Sequence, residues 1–387
     1  MASDVLATTL LACAVALATT LAVHVALQKQ SSERLAQSTS NSLPAHDVPE
    51  SLRVDAFITP ENQAAFAHNG VFRGCTNVFA VLDAIHDYAL QFLAESEWAN
   101  VSDASVHITV LKPSAAKRGP DGRCLNESDD DDNDDGVRHA QWKLPECVDP
   151  SNSTEIVLFP GVNPLTFAPD KIINLSPSGS PTGNPGKKQV VVLPGALVLG
   201  GTFDVSDGSV YLGRNVRVEP NVFIKGPAIL GDGSTLRSGA YIRGDVVTGQ
   251  GVVLRGELKN ALVLDRAELG HPGYCGDSIC GFQSHFGNQV TTANLNLFAG
   301  AASGNLTVDV GGKRYDTGRT KVGVVLGDWS QLGCSAVTDP CTLVLPNTIV
   351  YPLSRLRKGV YGPNEVIKNK PMERGVLEIA PLRRTRS

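Results

Sequence analysis

Large aliphatic residues recur at every sixth position through much of the C-terminal half. Leu212, Val218, Ile224, Leu230, Leu236, Ile242 and Leu254 keep this step, with Thr248 in the one remaining place. Four residues beyond them stand Val216, Val222, Ala228, Ser234, Ala240, Val246 and Val252, all small or β-branched. Gly213, Gly231 and Gly249 follow every third large residue. Neither a helix, with a period near 3.6, nor a half-exposed strand, with a period of 2, sustains such spacing. Six residues make one short flat strand and a turn, and three such units close a triangular coil. One coil cannot bury its own apolar row, so the coils must stack. The pattern therefore predicts an all-β domain, a parallel β-helix over 190–370. The repeat lapses between about Glu257 and Arg319 and resumes at Leu326, Leu332, Thr338, Val344 and Val350. Polar, irregular stretches in a rigid repeat are where sites are usually built.

The N-terminal half follows other rules. Val5 to Leu27 contains no Asp, Glu, Lys or Arg, long enough to span a bilayer as a helix. A single-pass anchor or uncleaved signal in residues 1–29 is one expectation; a cleaved signal peptide or a buried helix are the others. Lys29 and Arg34 weakly favour a cytosolic C-terminal side. The sequons at Asn100, Asn126, Asn152, Asn174 and Asn305 point to the secretory lumen. A membrane location is expected, with its side open. Residues 30–189 read as a linker and a small α/β extension. In it Val78, Val81, Leu82, Ile85, Tyr88, Ala89 and Phe92 form one apolar helical stripe over about 76–94, capped by Thr76 or Asn77 and packed on a sheet. Val106 to Leu111 alternates like a strand. Asp129 to Asp135, broken only by Asn133, reads as a solvated loop rather than a calcium site. Ser176 to Lys188, rich in Pro, Gly and Ser, marks a boundary. Residues 371–387 form a basic tail.

Composition fits a turn-rich β protein: 38 glycines and 19% charged residues in 387, with a net charge of −5. Lacking a basic cluster, the chain is not expected to bind nucleic acid. The 8 cysteines fit no zinc spacing, and Cys275/Cys280 and Cys334/Cys341 read as core or turn residues.

Within the lapse lies His271-Pro-Gly-Tyr274-Cys-Gly276-Asp277. With Ala240–Gly244, Leu258-Lys-Asn260, Gly318–Lys321, Leu326-Gly-Asp328 and Val350-Tyr-Pro352, it resembles the acetyltransferase half of the bifunctional glucosamine-1-phosphate acetyltransferase/pyrophosphorylase that makes UDP-N-acetylglucosamine, and its single-domain relatives. The helix opening with Phe72-Arg-Gly-Cys75 resembles the relatives' N-terminal element. The resemblance implies a left-handed β-helix, a homotrimer, and acetyl-CoA-dependent N-acetylation of an amino-sugar phosphate. It makes His271 the general base, a role that suits an imidazole near neutral pH. It places Tyr274 on the sugar, Lys259 and Arg243 on the phosphate, and Asn294 at a family Asn. The stretch between Arg243 and Lys259 is two residues shorter than in the family. His285 stands where the family has a sugar-binding Asn, and Asn288 where an Ala turns its backbone to the thioester. Cys334 replaces a Ser near the acetyl group. Bulkier residues there crowd the pantetheine path. The alternative is a catalytically silent trimeric scaffold, or a sugar-nucleotide-binding module, held at a membrane. No Gly-rich nucleotide loop opens the sequence, so a nucleotidyltransferase activity is not expected. A metal role like that of γ-class carbonic anhydrases needs three converging His, and no metal site is expected.

Overall fold

The computed structural model describes residues 48–95, 109–111, 146–149, 154–159, 162–176, 188–295, 304–370 and 377–381. The chain divides into two units, Met1–Val48 and Pro49–Ser387; the second is described here. The apolar stretch at 5–27, the acidic run and the sequons at Asn100, Asn126 and Asn152 lie outside the described residues. No helix among the described residues is long and apolar enough to cross a membrane.

The aliphatic rows stack as three parallel walls of one β-solenoid. Wall one pairs Val190 with Val210, Val210 with Ala228, and Ala228 with Val246. Wall two pairs Val198 with Val218, Val218 with Leu236, and Leu236 with Leu254. Wall three pairs Phe203 with Ile224 and Ile224 with Ile242. Each residue named on wall two or three is fully buried, so every hexad hands its large side chain to the interior. The ladder extends N-terminally of Val190, through Thr154–Leu158, Lys171–Ile173 and Glu146–Val148. Thr109–Leu111 caps one end antiparallel to Thr154–Leu158, and Leu377–Pro381 caps the other against Glu365–Asn369.

The repeated glycines have a steric cause. A Cβ on Gly231 would lie 2.2 Å from the carbonyl oxygen of Gly249 in the next coil. The corners need a left-handed residue, supplied at Asn215, Asn221 and Asp245, and also at Trp329 and Leu353, which adopt it less readily.

The coils continue where the repeat lapses in sequence. Leu258 pairs with Ile242 and Cys275, and Thr292 pairs with Cys275 and Thr338. The phase shifts because corners shorten. Asn260 and Asp277 each turn alone where Gly244-Asp245 uses two residues, and Arg255-Gly256 does the work of Arg237–Ala240. That two-residue shortening accounts for the contracted stretch between Arg243 and Lys259. The real insertion lies between Thr292 and Val324. It contains the hairpin Thr307–Val310/Lys313–Asp316, and the stack closes across it.

Wall one is apolar on both sides. Its outward Val191, Ile229, Val247, Leu262, Ile279, Val325 and Leu343 are fully buried. Helix α2 (Val78–Glu95) covers the strands that carry Val247, Leu262 and Ile279, and it is preceded by helix α1 (Pro60–Ala65) and a run of turns. Val78, Val81, Leu82, Ile85, Ala89 and Leu93 form the buried face of α2. Asn77 caps it, its Oδ1 accepting from the N–H of Phe79 and of Ala80 at 3.0 Å each. The segment is pinned by Asp328, fully buried. Its carboxylate accepts from Thr59 N (2.9 Å), Asn62 Nδ2 (2.7 Å) and Phe282 N (2.8 Å). Burial raises its pKa, and these bonds oppose the rise.

Among the sequons, Asn174 is wholly buried. Its Nδ2 donates to Thr154 Oγ1 (3.0 Å), and its Oδ1 accepts from Ser176 N (3.1 Å). Asn305 is half-buried. The described cysteines are all free; Cys275 and Cys280 face each other inside the solenoid at 3.9 Å.

His68 links α2 to the turns before it. Its Nδ1 lies 3.0 Å from Tyr88 Oη, and Phe92 meets it edge-on at 4.9 Å. Burial pushes its pKa down to about 4. An unfolded His, near 6.5, takes up a proton more readily. Its contribution is therefore complete above pH 6.5 and is lost as pH falls towards 4, by up to about 3 kcal/mol. Urea unfolding across pH 4–7 is expected to show this loss, and His68→Gln to flatten it. A wild-type profile with no slope in that window contradicts the assignment.

Candidate functional site

The residues singled out from sequence fall into three places. The first is wall three, near the corner that leads to wall one. Tyr274 opens the strand Tyr274–Cys280, and its ring folds back across Gly276. A Cβ on Gly276 would stand 2.2 Å from Tyr274 Oη, which explains the glycine in the Tyr-x-Gly-Asp order. The fold-back brings Tyr274 Oη within 3.0 Å of Asn294 Nδ2. Asn294 Nδ2 also donates to Asp277 Oδ2 at 2.7 Å. Asp277 Oδ1 accepts from Asn260 Nδ2 (2.9 Å) and Arg319 Nη2 (3.1 Å). Asp277 thus serves three donors at a corner whose backbone is left-handed (φ 48°). Arg319, from the insertion, also binds Asp83 of α2. Burial raises the Asp83 pKa while Arg319 opposes it. Burial likewise raises the Tyr274 pKa, against the bond from Asn294.

Lys259 pairs by register with Gly276, and the Ile242–Leu258 pairing sets Arg243 beside it on the neighbouring strand. Lys259 has no partner among the described residues. Arg243 is engaged, its Nη1 donating to Glu257 Oε1 at 2.5 Å. Glu257 lies in register between Tyr241 and Tyr274.

The second place is the edge between walls two and three. His271 sits there, exposed, at the corner between Leu269 and Tyr274. The next coils stack their own corners above it. Gln289 N donates to Pro272 O (2.7 Å), and Ser335 N donates to Asn288 O (2.7 Å). Asn288 and Cys334 thus stand above His271 on one edge, both exposed. His271, Tyr274, Glu257 and Arg255 line one shallow depression of about 10 Å³, floored by Leu258, Leu269 and Phe286. Its small size means that one chain offers a surface here rather than an enclosed cleft.

The third place is wall two. His285 lies there, its Nδ1 3.7 Å from Glu268 Oε2. The corner 287–290 separates it from Tyr274, and the structure does not bring it to the Tyr274 cluster. No group of three His, Cys, Asp or Glu among the described residues is arranged for a metal ion.

Four residues of this cluster, Asn260, Glu257, Asp277 and Arg319, were given no role by sequence reasoning. Glu257 stands two before Lys259, and strand parity puts both on the outer surface. Asp277 is part of the quoted motif. Arg319 lies in the Gly318–Lys321 segment, but its partners Asp83 and Asp277 are its neighbours only in space.

Comparison with known proteins agrees with this architecture. The family described as bacterial transferase hexapeptide (six repeats) matches residues 209–244, the coils that lead into the Arg243 strand. The match places hexapeptide repeats of that kind within a parallel β-solenoid. Such transferases commonly use acyl-CoA and are typically trimers acting on small substrates. No curated protein matches the chain.

Removing the Asp277 carboxylate leaves Asn260, Asn294 and Arg319 without their shared acceptor. Asp277→Ala is expected to cost roughly 1–3 kcal/mol, read as a lower unfolding midpoint. It should also speed cleavage within 304–319, mapped by limited proteolysis. Unchanged cleavage there would show that Asp277 does not hold the insertion.

Proposed function

We propose that the chain is an acetyl-CoA-dependent N-acetyltransferase acting on an amino-sugar phosphate, related to the glucosamine-1-phosphate acetyltransferases. In this reading the solenoid winds left-handed, residues 190–370 form the catalytic domain, and residues 5–27 hold it at a membrane. The observation that supports it most is the meeting of two surfaces at His271. The outer row of wall three begins beside it, where Glu257 and Tyr274 share its depression. The stacked corners of Asn288 and Cys334 rise from it along the edge, a track for the thioester arm. Because the depression is open in one chain, a neighbouring prism of a trimer completes the cleft.

The chemistry assigns a part to each group. Lys259 and Arg243 hold the phosphate, and Tyr274 with Asn294 orients the sugar. The acceptor's ammonium group first gives one proton to solvent, and His271 takes the second as the amine attacks. The amine nitrogen bonds to the thioester carbon, and the carbonyl oxygen gains negative charge. In this reading the backbone N–H of Asn288, without an acceptor among the described residues, stabilises that charge. The C–S bond then breaks, and the proton held by His271 leaves with the CoA sulfur.

A second reading, a silent trimeric scaffold, is favoured by the side chains of Asn288 and Gln289. Both are exposed on the edge, where they narrow the thioester track. Release of CoA thiol from acetyl-CoA with glucosamine 1-phosphate separates the two. Turnover is expected, with His271→Ala lowering kcat by about 100-fold or more. No thiol release and no heat on adding acetyl-CoA would leave the scaffold reading; full turnover by His271→Ala would remove the base assignment.

A further inference from the structure

Wall three carries more binding surface than a sugar monophosphate can cover. Two outward rows run down it from the His271 depression. One row holds Tyr274, Glu257, Tyr241 and Phe223 in register, and beside it runs a row of Lys259, Arg243 and Lys225. Strands lie about 4.8 Å apart, so Tyr274 to Phe223 spans roughly 14 Å. A single sugar phosphate fills about half of that.

The lower half has its own chemistry. Phe223 and Tyr241 meet edge to face at 5.5 Å, and the Arg243 guanidinium lies 5.9 Å from the Tyr241 ring centroid. Tyr241 is 43% exposed. An exposed ring beside a guanidinium is a platform on which a flat aromatic base can stack while the cation meets phosphate. The cations are held by exchangeable partners. Lys225 pairs with Asp207 at 2.6 Å and Arg243 with Glu257 at 2.5 Å. All four side chains are a third or more exposed. Such pairs are weak, and a diphosphate carries more charge than either carboxylate. Releasing Arg243 would free Glu257, beside His271, to meet the acceptor's ammonium group.

We infer that the acceptor site on wall three takes a nucleoside-diphosphate amino sugar. Its base stacks on Tyr241 and Phe223, its diphosphate lies along Lys225, Arg243 and Lys259, and its amine points to His271. The inference rests on the acyltransferase reading for the identity of the amine end, but its binding test does not need turnover.

The test is calorimetric titration of the full chain with UDP-glucosamine, UDP, GDP and glucosamine 1-phosphate, in wild type and Tyr241→Ala. UDP-glucosamine is expected to bind roughly tenfold or more tighter than glucosamine 1-phosphate, and at least one free nucleotide to bind on its own. Tyr241→Ala should weaken the nucleotide ligands about tenfold and leave glucosamine 1-phosphate within about twofold. Three results would each overturn the inference: no nucleotide binding, equal weakening of all ligands, or unchanged nucleotide affinity with a smaller assembly in solution. The last would make the strip a subunit contact. Tyr241-dependent nucleotide binding without acetyl transfer to either amine would sink the acyltransferase reading and keep the inference. Acetylation of glucosamine 1-phosphate with no nucleotide affinity would do the reverse.

Discussion

Stacking is the constraint on which the rest of the molecule depends. A triangular coil has too little interior to cover its own aliphatic side chains, so each is buried only by its copies above and below. Leu236, for example, lies between Val218 and Leu254, all three excluded from water. The requirement fixes the spacing of large residues, the glycines at Gly231 and Gly249, and the left-handed corners. It also makes the corner stacks straight. His271, Asn288 and Cys334, scattered along the chain, therefore come onto one edge.

Wall one breaks the usual economy of a solenoid, because its outer surface is as apolar as its inner one. Burying Val247, Leu262 and Ile279 from outside requires a second layer, and α2 supplies it. Asp328 and Asn77 then do local work: one fastens the incoming chain, the other starts the helix. The cover reaches the candidate site through Asp83 and Arg319, so the layer that protects wall one also touches the corner that holds Asp277.

The regular rows were plain in the sequence because a period of six matches neither helix nor simple strand. The α2 stripe was plain for the same kind of reason. The coils between Glu257 and Ala293 were hidden by two things. Corners lost residues, which shifted the phase, and Cys275, Phe286 and Thr292 took places held elsewhere by aliphatics. Of the candidate site, the Tyr274–Asp277 motif and Lys259 were readable as a local order. The placement of His285 was not, since only the corner geometry decides which wall a residue joins. The Arg319 contacts to Asp83 and Asp277 join parts of the chain far apart in sequence, and no spacing rule anticipates them.

The insertion after Thr292 shows what the solenoid leaves unconstrained. Ile279 pairs with Val325 and Thr292 with Thr338 as though nothing stood between them. The length of chain at that corner is thus decoupled from the integrity of the rod. A lineage can lengthen, trim or replace the projecting hairpin and so reshape what approaches Tyr274, while the scaffold beneath is inherited unchanged. Novelty at this corner comes at little cost to foldability.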